Sequence, residues 1–587
     1  MCAINGFNFK DNDLIIAMNL ATSHRGPDGT GIYVDDNFSL GHNRLSIIDL
    51  SREADQPMES FDKELIISFN GEIYNFNELK KELDYPFKTK SDTEVILAAY
   101  KKWGVDCVKK FNGIFAFAIW DKKKKGLFLA RDQMGVKPLY YFWDGKKLIF
   151  SSEIKAILEH NVPRILNLEA FNHYLRVLYV PEPLTMFKNI YKFPPANFAI
   201  FKDGKLNFYK YWETKENEYL NESKEEIENI LRNKIAESVK RQLISDKPLG
   251  LYLSGGIDSS IILHNMSQLR KNIDTFSVGF DLKEEEEREK FNKDFYLARR
   301  TAKHYGTNHN EVVLVPEDVI VFLKKAIWHL DEPISNPTAI PMMKLAGFAK
   351  KKVDVVLGGD GGDELFGGYE RYRLSLISGY YNKLPSFLRN ILNFSQKIRK
   401  LNLPAGIERF ALFMFQKDDI LSRVINKKFL SGDITKNFFE EKYFQKLTSA
   451  SEWEDNFMNT DRQSWLIDES LMRTDKMSMS AGLEARVPFL DKDLVEFASK
   501  IPLKYKVVVF DKKIILKSAF KGRIPDFLFD QPKRGWFSPA AKWLRHPEIY
   551  SFAGKTLSED YYKETSGLFD WQGIKNILEN HYSKKEY

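Results

Sequence analysis

The sequence predicts two joined domains, α/β and α+β in class: a strand-rich part up to about residue 210, then a parallel α/β sheet with added helices from about residue 245. Three stretches carry that prediction. Ile114 to Trp120 (IFAFAIW) is apolar almost throughout, as a strand buried on both faces would be. Leu249-Gly250-Leu251-Tyr252-Leu253 runs straight into Ser254-Gly255-Gly256, and Val353-Asp354-Val355-Val356-Leu357 into a second glycine cluster. Apolar strands alternating with glycine turns and helices are the unit of a parallel sheet, which gathers ligands at the carboxyl ends of its strands.

The elements follow in order. Glu64 to Tyr74 is a β-rich run broken by Asn70-Gly71. Asp121, Lys122 to Lys125 and Gly126 read as a charged, solvated hairpin turn, with Leu127 to Ala130 as the returning strand. Pro181, Pro183, Pro194 and Pro195 punctuate the end of the first part. The charged run Glu218 to Glu228 begins a helical stretch to about Gln242. The boundary therefore falls between about 210 and 225, with domains expected at 2–212 and 225–587. Thr275 to Phe280 is a further strand, Lys283 to Lys290 a solvated loop or helix edge, and the chain after about 370 is mostly helical.

Bulk properties exclude several classes. The chain has 587 residues, 43% hydrophobic and 29% charged, an ordinary globular balance. Its 45 Phe and 26 Tyr argue against disorder. A net charge of +7 is small for this length, and no basic arm argues for nucleic acid. No apolar run approaches the ~18 residues of a membrane helix, and the N-terminus lacks a signal-peptide pattern. Two cysteines, Cys2 and Cys107, build no disulfide framework and no CxxC pair, so a reducing, cytoplasmic setting is expected. Cys107 reads as a small buried hydrophobe.

Ser254-Gly255-Gly256-Ile257-Asp258-Ser259-Ser260 follows a strand and opens a helix. Its glycines let backbone N–H groups turn toward an anion, and its hydroxyls sit where the helix dipole favours phosphate. Asp258 would repel phosphates unless a cation intervenes, and Mg²⁺ takes oxygen ligands of this kind. There is no Walker A loop: Gly554-Lys555-Thr556 has Ile549 in place of the first glycine. There is no dinucleotide fingerprint either: Gly359-Asp360-Gly361-Gly362-Asp363 reaches Glu364 where the third glycine belongs.

SGGIDSS resembles the PP-loop of ATP pyrophosphatases, which split ATP between its α- and β-phosphates. Leu357 to Tyr369 (LGGDGGDELFGGY) and Arg473 to Ser480 through Glu484 to Asp491 agree with it. Together these motifs resemble the glutamine-hydrolysing asparagine synthetases of the B type, over about residues 2 to 545. The resemblance implies an N-terminal class II glutamine amidotransferase, an αββα N-terminal-nucleophile hydrolase, joined to a PP-loop synthetase. It also implies an ammonia tunnel between them and a homodimer.

On that resemblance Cys2 becomes the nucleophile once Met1 is removed. Its thiolate attacks the glutamine amide carbon, and its α-amine, of pKa ~7.7–8, shuttles the proton. His24-Arg25-Gly26-Pro27-Asp28 is the family's early loop. Arg44, leading Leu45, Ser46, Ile47 and Ile48 in the glutamine pocket, would fork onto the substrate carboxylate. Asn70 and Gly71 would form the oxyanion hole, by side chain and backbone N–H. Glu72 and Asp92 would hold the substrate ammonium. In the synthetase half, Leu253, Val278, Gly358 and Gly359 would join Ser254, Gly255, Gly256, Asp258, Ser259 and Ser260 at ATP. Asp258 and Asp363 would hold Mg²⁺, and Lys533, in Gln531 to Phe537, would neutralise charge at the α-phosphate. Asp331-Glu332-Pro333 reads equally as part of the acceptor pocket or as a helix-end turn.

One departure bears on the acceptor. The family commonly carries GEGSDE, whereas this chain reads GDGGDE, so Asp360 stands where glutamate is expected and reaches ~1.5 Å less. Asp360 would still orient an amine or the intermediate. L-aspartate is the expected acceptor, a uronic acid of a surface polysaccharide the alternative. A non-catalytic glutamine or nucleotide sensor is the rival of another class, and Cys2, Asp258, Asp363 and Lys533 argue against it.

Overall fold

The structure is a computed structural model that describes residues 2–214, 218–282, 284–392, 401–403, 406–445, 452–529 and 537–585. Met1 and Lys533 lie outside the described residues.

The first part runs, in chain order, β1 (Ala3–Phe7), β2 (Gly29–Val34), β3 (Ser39–Arg44), β4 (Met58–Glu59), β5 (Leu65–Ile73) and β6 (Gly113–Asp121), then β7 (Gly126–Arg131), β8 (Tyr140–Trp143), β9 (Leu148–Ser151), β10 (Ile190–Lys192), β11 (Asn197–Lys202) and β12 (Lys205–Lys210). One sheet has the order β10-β8-β9-β1-β3-β2 and the other β12-β11-β7-β6-β5-β4. The fully apolar β6 explains the layering. Its Phe115, Phe117 and Ile119 pack with Val95 and Ala98 of the helix Asp92–Trp103. Its Ala116, Ala118 and Trp120 pack with Ile4, Leu40 and Phe150 of the other sheet. Both faces are buried because successive strand side chains point to opposite sides. On the far side, Ile15 and Met18 of the helix Asn12–Ala21 pack with Phe7 and Ile149. Helix, sheet, sheet, helix is the αββα sandwich. The lysine turn sits between β6 and β7, with Lys124 N donating to Asp121 Oδ1 at 2.8 Å. Cys107 is fully buried in the aromatic core beside β6.

The second part opens with the helix Lys224–Gln242, started by a capping box in which Ser223 and Glu226 satisfy each other's backbone N–H groups. A parallel sheet follows: β13 (Leu249–Tyr252), β14 (Asp274–Phe280), β15 (Asn308–Leu314), β16 (Val355–Leu357) and β17 (Glu484–Arg486), in the order β15-β14-β13-β16-β17. β15 begins with the polar run Asn308-His309-Asn310-Glu311 and β17 is only three residues with two charges. Neither has the apolar run that announces a parallel strand, so both arise from pairing with better neighbours. Lys283 aside, which is not described, the acidic stretch expected as a loop or helix edge forms the helix Glu285–Phe291. Beyond 370 the described residues are mostly helical apart from β17 and a two-residue hairpin.

The two parts share one apolar core. Leu45, Ile47, Tyr74, Ile114, Met134 and Val136 pack with Ile227, Leu231, Leu249 and Leu251. Asp246 ties the seam, its N donating to Ile47 O at 2.9 Å and its carboxylate accepting from Asp49 N. Among the described residues no helix is long and apolar enough to cross a membrane.

Candidate active sites

Cys2 stands at the head of β1, where the sheet holds it rather than letting it fray. It is 8% exposed. Its backbone N donates to Asn70 Oδ1 at 2.9 Å, and its Sγ lies 3.9 Å from Leu45 O. Burial pushes the Cys2 thiol up, while the Arg44 charge pulls it down. With Oδ1 taken, Asn70 Nδ2 is left buried and without a hydrogen-bond partner among the described residues. An orphaned amide donor beside a nucleophile is what an oxyanion hole needs. Gly71 follows with φ +150°, and a Cβ there would lie 2.0 Å from Ile114 O. Only glycine lets β5 pass β6 so closely at that point.

Arg44 differs from the expected free fork. Its Nη1 donates to Ser51 O and Asp55 Oδ1, each at 2.7 Å, and its Nη2 to Asp49 O. The guanidinium thus fastens the loop after Ile48, and among the described residues only its Nε edge keeps donors to offer. Leu45 and Ile47 are buried, and Ser46 N donates to Asp28 Oδ2 at 2.9 Å, so this segment is a wall held from behind.

Glu72 and Asp92 come together as expected, but in a larger cluster. Glu72 lies 3.6 Å from Arg486 Nη2, and Arg486 Nε donates to Glu484 Oε1 at 2.5 Å. Burial, then the neighbouring Glu484 and Asp92 charges, push Glu72 well up, and its Oε2 has no hydrogen-bond partner among the described residues. Three carboxyls therefore surround one guanidinium, an arrangement that favours an arriving cation such as an ammonium. β17 supplies Glu484 and Arg486, so the second part completes this charge cluster of the first.

Asp92 Oδ2 accepts from Ile73 N at 2.9 Å, and burial raises the Asp92 carboxyl to about 6. The folded protein then binds this proton more tightly than the unfolded chain. Its stabilising contribution is complete below about pH 4 and is lost as the pH climbs to about 6. Asp92→Asn keeps an oxygen for Ile73 and removes the titration. The fall in Tm across that window should be shallower in the variant than in the wild type. Parallel Tm profiles would show that Asp92 does not titrate there.

Arg25 has a structural role beyond its place in the early loop. Fully buried, it donates from Nε to Cys2 O at 3.1 Å and from Nη2 to Asp475 Oδ2 at 2.8 Å. Glu153 takes its third contact at 3.0 Å. One side chain thus joins the Cys2 carbonyl to the Arg473–Ser480 motif of the other half.

The second site lies at the carboxyl ends of β13, β14 and β16. A cavity of about 260 Å³ is lined by Leu253, Ser254, Asp258, Ser259, Val278, Gly358, Gly359, Asp360 and Asp363, among others. Gly255, Gly256 and Ser260 shape the turn behind it: Gly255 has φ +71°, and a Cβ there would lie 2.6 Å from Ala298 N. Ser254 and Ser259 hydroxyls lie 3.0 Å apart, and Ser260 Oγ donates to Gly256 O at 2.8 Å. Asp258 and Asp363 converge, as expected of a metal pair, and a third group sits between them. Lys513 Nζ is 2.5 Å from each Asp258 oxygen and 2.6 Å from Asp363 Oδ1.

Asp360 is half-buried and lines the same cavity. Its Oδ1 accepts from Ser470 Oγ at 3.3 Å and Thr474 Oγ1 at 3.2 Å. Burial raises it and the nearby Arg473 lowers it. Glu364, pushed by burial to about 7, accepts from the Tyr369 hydroxyl at 2.7 Å. Asp331 and Glu332 do not line the cavity. Asp331 ends the helix Pro316–Leu330 and accepts from Ile154 N at 3.0 Å; Glu332 pairs with Lys192 at 2.9 Å. They are seam residues.

Sequence reasoning does not single out Lys513, Arg473, Glu364, Tyr369 or Arg486. Glu364, Arg473 and Arg486 stand inside the glycine-rich and Arg473–Asp491 motifs, so their signal is present in the chain. Lys513 lies in a lysine-rich stretch, Asp511-Lys512-Lys513, with nothing local to mark one lysine from its neighbour.

Comparison with known proteins finds a family match for each of the two parts. The asparagine synthase family model matches residues 230–587, and the glutamine amidotransferase domain model residues 1–212. Asparagine synthetase (glutamine-hydrolyzing) 1 of Bacillus subtilis (strain 168) is 34% identical over 590 residues, spanning 98% of this chain and 90% of that protein. Asparagine synthetase (glutamine-hydrolyzing) 3 of the same organism is 30% identical, spanning 99% of this chain and 93% of its own. Amidase chyE of Penicillium rubens is 27% identical, spanning 96% and 90%.

Proposed function

Because the chain belongs to the asparagine synthase family of glutamine-hydrolysing, ATP-using amide ligases, we propose that its acceptor is L-aspartate and that the residues at the two sites divide the work as follows. With Met1 removed, the Cys2 α-amine is free to take the thiol proton. The thiolate attacks the glutamine amide carbon, and the new oxyanion meets Asn70 Nδ2 and the Gly71 N–H. Ammonia leaves, and water hydrolyses the glutamyl thioester to glutamate. Glu72 and Asp92 hold the substrate ammonium, and the Nε edge of Arg44 its carboxylate.

In the second site the acceptor carboxylate attacks the α-phosphorus of ATP and pyrophosphate departs. Ammonia then attacks the acyl-adenylate and AMP leaves. Adenylation is needed because a carboxylate alone has only oxide as its leaving group. Asp258 and Asp363 fit Mg²⁺: it is commonly bound by one or two carboxylates plus substrate phosphates. The glycine cluster also makes room for them, since a Cβ at Gly362 would lie 2.8 Å from Asp258 Cγ. Bound there, the metal would screen the phosphate charges. A cytoplasmic setting suits a catalytic thiol accompanied only by the buried Cys107.

The charge pattern at the acceptor end supports aspartate. Asp360, half-buried, and Arg473, buried beside Glu469, line the same cavity, one of each sign. An α-amino acid presents an ammonium and a second carboxylate to such a pair, whereas a uronic acid has no ammonium for Asp360. Pyrophosphate release, screened with L-aspartate and with uronic acids, tests this. A signal with aspartate that Asp360→Ala reduces about 100-fold is expected, on the scale of one charge-assisted hydrogen bond of about 1.5–3 kcal/mol. Pyrophosphate with a uronic acid and none with aspartate would overturn it.

A further inference from the structure

We propose that Lys513 is a stand-in cation: in the nucleotide-free protein its ammonium holds the position between Asp258 and Asp363, and it yields that position only when Mg²⁺ arrives together with ATP. The inference rests on the reading of those two aspartates as the metal ligands and concerns when they become available.

Three observations carry it. First, Lys513 Nζ touches both carboxylates at 2.5–2.6 Å, with the lysine side chain 2% exposed and the aspartates 15% and 19%. The two aspartates also line the cavity, whereas Lys513 does not.

Second, the second glycine cluster is shaped around this trio. A Cβ at Gly368 would lie 1.6 Å from Asp363 Oδ1 and 2.4 Å from Lys513 Cε; one at Gly359 would lie 3.2 Å from Asp258 Cβ. The close approach of backbone to the ion-paired side chains excludes a side chain at Gly362 and Gly368 and leaves only a tight fit at Gly359.

Third, Lys513 itself has φ +54° and heads the helix Ile514–Phe520. A residue with a Cβ rarely adopts that left-handed conformation, and it persists only where surrounding contacts over-determine it. The two ion pairs are contacts of that kind.

The consequence follows from charge. Free Mg²⁺ gives up its water reluctantly and must evict a buried ammonium whose carboxylate partners are the very groups the metal needs. ATP changes both terms. Its phosphates complete the metal's oxygen ligands, and they offer the displaced ammonium a new anionic partner. Metal and nucleotide therefore bind with positive coupling, each improving the affinity of the other.

The test uses Mn²⁺ as the probe, followed by the loss of its free-ion electron paramagnetic resonance signal on adding the full-length chain. In wild type without nucleotide the signal should be unchanged. With an α,β-methylene analogue of ATP, one Mn²⁺ per chain should bind, and Asp258→Asn should weaken that binding. Lys513→Met should bind Mn²⁺ without nucleotide, about tenfold or more tighter than wild type, equivalent to about 1.4 kcal/mol. Glutamine hydrolysis at the distant Cys2 reports whether the variant is folded. If it is not, the wild-type titration decides alone. One Mn²⁺ per nucleotide-free wild-type chain, lost in Asp258→Asn, would leave the metal reading intact and overturn the stand-in role. No metal binding by folded Lys513→Met without nucleotide would overturn it as well. Mn²⁺ binding with the analogue that is unaltered in both Asp258→Asn and Asp363→Asn would overturn the metal reading, and the stand-in with it.

Discussion

Cys2→Ala is expected to abolish glutamate release from glutamine while synthesis from added ammonium salts continues. The effect is local. In the proposed mechanism the thiol is the group that bonds to the amide carbon, and removing a nucleophile from an assembled site costs on the order of 10³-fold or more. The synthetase cavity is untouched, because Cys2 is not among its lining residues. The variant should also fold normally. The Cys2 N–H to Asn70 bond is made by backbone and survives the substitution, and Sγ makes only a weak approach to Leu45 O at 3.9 Å. Paired assays of glutamate and of pyrophosphate check this. Residual glutaminase activity near the wild-type level would refute Cys2 as the nucleophile.

Asp258→Asn should do the reverse. Pyrophosphate release should fall by more than about 100-fold, beyond the ~10–100-fold typical of residues that merely support a metal ligand. Glutamate release should persist, because Cys2, Asn70 and Gly71 belong to the other half. The substitution is nearly isosteric, and Lys513 keeps Asp363 as a partner at 2.6 Å. Loss of synthesis could not then be blamed on collapse of the cavity, and an unchanged Tm would confirm it. A variant retaining wild-type pyrophosphate release would show that Asp258 does not serve the nucleotide.

Much of this is legible because the chemistry is carried by contiguous runs. A parallel strand, its glycine turn and the first turn of its helix are consecutive in the chain, so SGGIDSS announces both an element and a site. IFAFAIW announces a strand with two buried faces, and the two faces prove to be different cores. Asn70-Gly71 reads as a break in a strand; in the fold β5 runs on through it, and glycine is required there by the 2.0 Å approach to Ile114 O that a side chain would create.

What is not legible depends on residues far apart in sequence. Arg44 reads as a free fork, and only the fold shows its Nη groups spent on the loop through Asp55. β17 is too short and too charged to be recognised alone, yet it delivers Arg486 to Glu72, more than four hundred positions earlier. Asp331-Glu332 reads equally as pocket or helix end, and resolves as a helix end because its carboxylates face Ile154, Lys155 and Lys192 across the seam.

By itself, then, the sequence carried the parallel α/β class and the candidate phosphate loop, since both rest on periodicity or on residues within one turn of each other, while the class of the first half and Cys2 as nucleophile candidate came with the resemblance. The tertiary structure decided which charges meet. Arg25 reaches from Cys2 to Asp475, and Lys513 settles between Asp258 and Asp363, because burial makes an unpaired charge costly and the fold brings opposite charges together where water cannot screen them.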